Sequence, residues 1–205
     1  MSTGEKTYNG AIGVDLDGQP IEHLMQAAEA EGRATGVVSS VEFSHATPAG
    51  FVAHNVSRNN YVAIADEMVR SSATDVIMGA GNPWYYDSGL ARTSASYKYI
   101  GVDAWNALAN GIPCADADGD GSGDAWSLVQ TRDEFLALAE GDTPARVCGV
   151  PQVYTTLQQA RPGDQYAAAY AVAPTTGVPT LAEMTDGALN VLDNDEDGFV
   201  LMIEG

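Results

Sequence analysis

Four side chains stand where their types and spacing suit chemistry: His45 and Thr47 in SHATPAGFVAHNVSR (44–58), Arg58 at the end of that stretch, and Glu204 near the end of DNDEDGFVLMIEG (193–205). A hydroxyl plus a carboxylate, with water completing the shell, suits a hard octahedral cation such as magnesium better than zinc. The planar fork of Arg58 suits a phosphate, which it can hold through two parallel hydrogen bonds. Structural roles compete with these. Thr47 also fits a helix N-cap ahead of Pro48 at the first helical position, and Arg58 also fits a solvated helix residue. Spacing alone leaves both pairs of roles open.

The terminal stretch also spells a calcium loop, with Asp193, Asp195, Asp197, Gly198 and Glu204 at the fixed positions of D-x-[DN]-x-[DN]-G-x5-E. A calcium-sensing loop needs a helix on each side and a polar ninth residue. The ninth residue here is Leu201, and Phe199 to Ile203 are all apolar, so the pattern predicts a strand buried on both faces rather than a loop. Glu204 is then expected at the carboxyl end of a central strand. A second acidic run, DADGDGSGD (116–124), sets Asp116, Asp118, Asp120 and Asp124 at calcium-loop spacing around Gly121, but its twelfth residue is Ser127. An exposed acidic turn and a structural calcium site both fit it.

Alternating periodicities supply the elements that must position these groups. Helices are expected over IEHLMQAAEAEG (21–32), NYVAIADEMVRSS (60–72), TRDEFLALAEG (131–141) and TLAEMTDGALNVL (180–192). Strands are expected over TGVVSSVEF (35–43), DVIMGAG (75–81), WSLVQ (126–130), ARVCGV (145–150) and FVLMIE (199–204). Helix and strand in turn imply an α/β fold, a mostly parallel central sheet with helices on both faces. Ligands in such sheets sit beyond the carboxyl ends of the strands. The strand ending at Phe43 therefore sends His45 and Thr47 to the same edge as Glu204. His23 on the first helix and His54 in the helix after Pro48 are expected to be surface or packing residues.

Composition sets outer bounds. The 205 residues, 45% hydrophobic and 18% charged, suffice for one domain over 1–205, with a polar Gly/Asp-rich insert at 112–126. Nine basic against 28 acidic residues give a net charge of -19, which disfavours nucleic acid and anionic membranes and favours cations. No apolar run approaches the length of a bilayer span, and MSTGEKTYNG has no signal-peptide pattern. Cys114 and Cys148 fit either one disulfide or two thiols.

The segments TGEKTYNGAIGVD (3–15), ATGVVSSVEFSHATPAGFVAHNVSR (34–58), DVIMGAG (75–81), LAEMTDGALNVL (181–192) and FVLMIEG (199–205) resemble, in order, the alkaline phosphatase family of metal-dependent phosphomonoesterases. The resemblance implies that Thr47 and Glu204 bind magnesium and that Arg58 clamps substrate phosphate. It places His45 beside the magnesium site, where family members carry Asp or His. It further implies small phosphate monoesters as substrates, a phosphoseryl intermediate, two zinc ions, a periplasmic or extracellular location, and a possible homodimer. The family's nucleophile lies in an Asp-Ser-Ala segment upstream of TGEKTYNG, and its zinc ligands lie outside these residues. Ser2 lacks the preceding aspartate, so the chain alone is expected to be a partial, inactive alkaline-phosphatase-like domain with an uncovered sheet edge. The competing expectation is an acidic secreted calcium-binding module.

Overall fold

A computed structural model describes residues 1–205. Five parallel strands form one sheet: β1 (Ala34–Glu42), β2 (Val76–Ala80), β3 (Ser127–Val129), β4 (Val147–Gly149) and β5 (Phe199–Glu204), in the spatial order β3-β4-β2-β1-β5. Six helices connect them: α1 (Leu24–Glu29), α2 (Ala46–Val52), α3 (Tyr61–Arg70), α4 (Val102–Ala109), α5 (Arg132–Leu138) and α6 (Leu181–Leu192).

Strand periodicity divides the core between the two faces. Successive side chains point to opposite sides, so Val37 and Ile77 face one cluster with Met25, Ile64, Met68 and Trp105, while Val38, Val76 and Met78 face another with Phe135, Met184 and Ala188. Helices α1 to α4 thus cover one face, and α5 and α6 the other. This is the doubly covered parallel sheet that the alternation predicts. Two helix starts are written in the sequence as reciprocal caps: Thr131 with Glu134, and Thr180 with Glu183.

Four expectations need correction. β5 is an edge strand with β1 as its one partner, and it is half-buried with Ile203 exposed, where the apolar run predicted a central strand buried on both faces. An apolar run specifies a strand; its place in the sheet depends on which other strands are present. α4 is an additional helix that the alternation did not predict. α1 begins at Leu24, not Ile21, because His23 caps it: Nδ1 accepts the Gln26 N–H. Finally, α2 begins at Ala46 with His45 as its N-cap residue, so Thr47 is not the cap. Of the two options for the cysteines, the structure has both as free thiols, and burial pushes buried Cys148 up to about 12.

The acidic insert is fastened by Arg146. Arg146 is 4% exposed; its guanidinium lies 3.9 Å over the Trp126 ring and donates to the carbonyls of Ser72, Thr74, Ala115 and Asp124.

Candidate functional site

The carboxyl ends of β1 and β5 build the site. Their parallel register sets Ser39 opposite Glu204. Ser39 is fully buried, and its Oγ accepts the Val41 N–H at 3.3 Å while donating to Glu204 Oε2 at 3.1 Å. The hydroxyl proton is thereby aimed at the carboxylate, which is held at the sheet edge. Beyond Glu42 the chain turns, with the His45 N–H on the Glu42 carbonyl at 2.8 Å, and enters α2. α2 packs on β1 and β5 and presents Thr47 exposed on its first turn.

His45 has its ring free because it makes no side-chain cap bond. Arg58 Nη2 lies 3.0 Å from His45 Nε2. A guanidinium can only donate, so Nε2 is the accepting, unprotonated nitrogen and the proton sits on Nδ1, a buried atom with no partner. Arg58 itself is half-buried in a turn, with its backbone N–H on the Gly10 carbonyl at 2.7 Å. The expected solvated helix residue is therefore not what the fold makes of it: α2 ends at Val52 and α3 begins at Tyr61. Next to Thr47, a cavity of about 240 Å³ opens between Ala46, Thr47 and Gly50 and the N-terminal residues Thr3, Thr7 and Ala11.

Two buried neighbours of these candidates were not singled out from the sequence. One is Ser39. The other is Glu42, 7% exposed, whose carboxyl burial pushes above the usual range against the pull of its own backbone N–H, His45, the Tyr99 hydroxyl and Lys98. A charged residue closing the apolar run GVVSSVEF was the available signal for Glu42. Nothing in the linear sequence pairs Ser39 with a residue 165 positions away.

The acidic runs behave differently from this edge. Asp193, Asp195 and Asp197 lie at the turn before β5, where Asp195 Oδ1 accepts the Asp197 N–H at 2.8 Å. Five strand steps of ~3.3 Å then carry the chain roughly 16 Å from Phe199 to Glu204, so these carboxylates do not converge on one ion. Asp116, Asp118 and Asp120 do approach one another, with ligand oxygens within 4.8 Å, all exposed. Asp124 is turned inward to the Ala117 N–H at 2.7 Å. His23 and His54 also stand apart from His45. His54 lies beyond α2 rather than in it, and His23 is 2% exposed, a packing residue and not a surface one.

The model of the alkaline phosphatase family matches residues 1–205, the whole chain. The chain belongs to the alkaline phosphatase family. It is 32% identical over 214 residues to alkaline phosphatase 3 of Bacillus subtilis (strain 168), and 31% identical over 227 residues to the alkaline phosphatase of Escherichia coli (strain K12). All of this chain is covered in both cases, against 37% and 45% of the two relatives. Among alkaline phosphatases of known structure, the cold-active one from the psychrophile Shewanella sp. superimposes with a TM-score of 0.67 at 30% identity, covering 99% of this chain and 39% of that one. The chain thus spans less than half the length of these alkaline phosphatases. No helix is long and apolar enough to cross a membrane.

Proposed function

We propose that the carboxyl edge of β1 and β5 is the phosphate- and magnesium-binding part of a phosphomonoesterase. The observation that carries this reading is the placement of Arg58: its guanidinium is held by His45 at the start of α2, on the sheet edge that also carries Glu204. Arg58 would take two phosphate oxygens of a small phosphate monoester, with His45 fixing the plane of the fork.

The donor set fits magnesium. Thr47 offers a hydroxyl, and Glu204 offers a carboxylate with one oxygen already tied to Ser39; two hard oxygen donors with room for water match that ion's preference. Thr47 and Glu204 would hold it, with His45 beside it. Magnesium bound there would supply positive charge and ordered water close to the phosphate. The residues do not fit zinc. Three protein ligands of His, Asp or Glu are the usual need, and His23 and His54 are stacked on each other with His54 bonded to Glu67 and Ile21. Calcium has only the acidic run at 116–124.

The family resemblance points to a phosphoseryl intermediate. Three serines around this edge have other tasks: Ser2 donates to the Gly50 carbonyl, Ser39 to Glu204, and Ser44 to the Tyr99 carbonyl at 2.6 Å. We therefore assign binding, not turnover, to the residues in hand, and a periplasmic or extracellular setting on the resemblance alone. Calorimetric titration with inorganic phosphate tests the binding. Arg58→Ala should weaken it roughly a hundredfold, since two charge-assisted hydrogen bonds are lost; unchanged affinity would remove Arg58 from the site. Zinc-dependent turnover of p-nitrophenyl phosphate by this chain would overturn the second half of the assignment.

A further inference from the structure

Two histidines that the phosphate site does not use lie ring on ring. The centroids of His23 and His54 are 5.0 Å apart, with their planes 18° from parallel. Their partners fix their protons. His54 Nδ1 meets Glu67 Oε1 at 2.9 Å, and Nε2 meets the Ile21 carbonyl at 3.1 Å. A carboxylate and a carbonyl only accept, so both nitrogens carry hydrogen and the ring is an imidazolium. His23 is the reverse: Nδ1 accepts the Gln26 N–H at 3.2 Å, and Nε2 is buried without a partner, so this ring stays neutral. Glu67, from α3, is the acidic side chain that acts on both rings. Its hydrogen bond holds His54 above the ordinary histidine value against burial, while burial and the neighbouring His54 charge push His23 down to about 4.

His54 sits on the short segment 53–58 that ends at Arg58, and this segment is pinned along its length. Ile12 and Asn55 exchange backbone hydrogen bonds at 2.8 and 2.7 Å, and the Arg58 N–H reaches the Gly10 carbonyl at 2.7 Å. His54 adds its backbone N–H, 3.0 Å from the same Glu67 oxygen, and both ring nitrogens. Gly13 closes over it at φ +57: a Cβ there would stand 3.0 Å from His54 Cδ2 and 2.8 Å from the Ala53 carbonyl oxygen. The contact is too close for any side chain.

We propose that His54 is a positioning residue for Arg58: held as an imidazolium between the Glu67 carboxylate and the Ile21 carbonyl, it anchors the segment that sets Arg58 against His45. This role rests on the assignment of Arg58 to phosphate for its functional meaning, and on geometry for its existence.

Imidazole and backbone 15N–1H spectra of this chain across pH test it. The His54 midpoint is expected above the ordinary 6.5, with both ring nitrogens protonated below it, and His23 is expected neutral with its proton on Nε2. Glu67→Gln forms no bond to Arg58 or His45, yet it should return the His54 midpoint toward 6.5 and displace the His45 Nε2 and Arg58 amide resonances. His54→Gln should displace the same two, with amides of the β1–β2–β4 core in place as the sign that the variant folds. A His54 midpoint at or below 6.5 overturns the role. So does a Glu67→Gln variant that shifts His54 and leaves Arg58 and His45 unmoved. Titration with inorganic phosphate separates the two layers: if Arg58→Ala leaves phosphate affinity unchanged while the coupling from Glu67 to Arg58 persists, the phosphate assignment fails and the positioning role stands.

Discussion

The two acidic stretches, 116–124 and 193–204, spell nearly the same pattern and have opposite fates. In the first, three carboxylates stay near the tip of an exposed loop and bond to its own backbone: Asp116 takes the Gly119 and Gly121 N–H groups, Asp118 that of Asp120, and Asp120 that of Ser122, while Asp124 turns inward to the Ala117 N–H. In the second, a six-residue strand intervenes. It leaves the aspartates at the amino end of the sheet and delivers Glu204 to the carboxyl end, where Ser39 holds it. Spacing in sequence brings carboxylates together only where the chain curls; where it extends, the last residue is handed to a different set of neighbours.

The sharpest break of this comparison is at Glu204. Glu204→Gln should weaken magnesium binding, followed by calorimetry, roughly a hundredfold or more, since losing even an outer partner of a metal ligand costs about 10- to 100-fold, while Asp118→Asn should leave it unaltered. Equal affinities in the two variants would make both stretches the same kind of acidic surface. A smaller effect is expected at the amino end of the sheet, just before β2. There burial, reinforced by Glu29 and Asp195, pushes Asp75 up to about 6 against the pull of the Thr35 N–H and Arg146. The folded state then holds a proton that the unfolded state releases near the usual 3.8, so stability falls as pH rises from about 4 to about 6 and stays lowered above it. Asp75→Asn keeps an acceptor for the Thr35 N–H, at 2.8 Å in the wild type. It should gain roughly 2 kcal/mol at pH 7 and flatten that slope; urea unfolding at pH 4.5 and pH 7 reads both.

How much of this was legible depends on the distance between partners in sequence. The alternating strands and helices are local and were read from periodicity; the capping boxes of α5 and α6 are equally local, Thr131 with Glu134 and Thr180 with Glu183, but were not part of that reading. α4 was also written, with Ala104, Trp105, Ala107 and Leu108 buried along one face, but its N-cap is Gly101, which offers no side chain to announce the start. The edge position of β5 was not readable, because its apolar run matches a central strand as well. Thr47, His45, Arg58 and Glu204 were singled out as candidates by type and spacing, and by the family resemblance. What holds them was not: the Ser39–Glu204 bond depends on strand register, and the Glu67–His54 bond on how α3 packs behind the 53–58 segment.

The glycine at each acidic turn gives the next, smaller contrast. Gly121 at φ +91 and Gly198 at φ +85 both adopt a backbone that L side chains resist by about 1–2 kcal/mol. Gly198→Ala should lower the global unfolding free energy by about that much, because its turn, tied through the Gly198 N–H to Asp195 and through Arg33 to Asp197, feeds β5 into the sheet. Gly121→Ala meets no atom within 4 Å and strains only an exposed tip, so it should speed local amide exchange with global stability unmoved.

The smallest expected effect concerns calcium. Because the oxygens of Asp116, Asp118 and Asp120 already accept backbone N–H groups and no glutamate stands at position 127, the loop should take up no calcium below millimolar in a calorimetric titration. Tighter uptake, lost in Asp120→Asn, would show that the ion pulls these carboxylates off the backbone, and the 116–124 loop would then be a second cation site independent of the sheet edge.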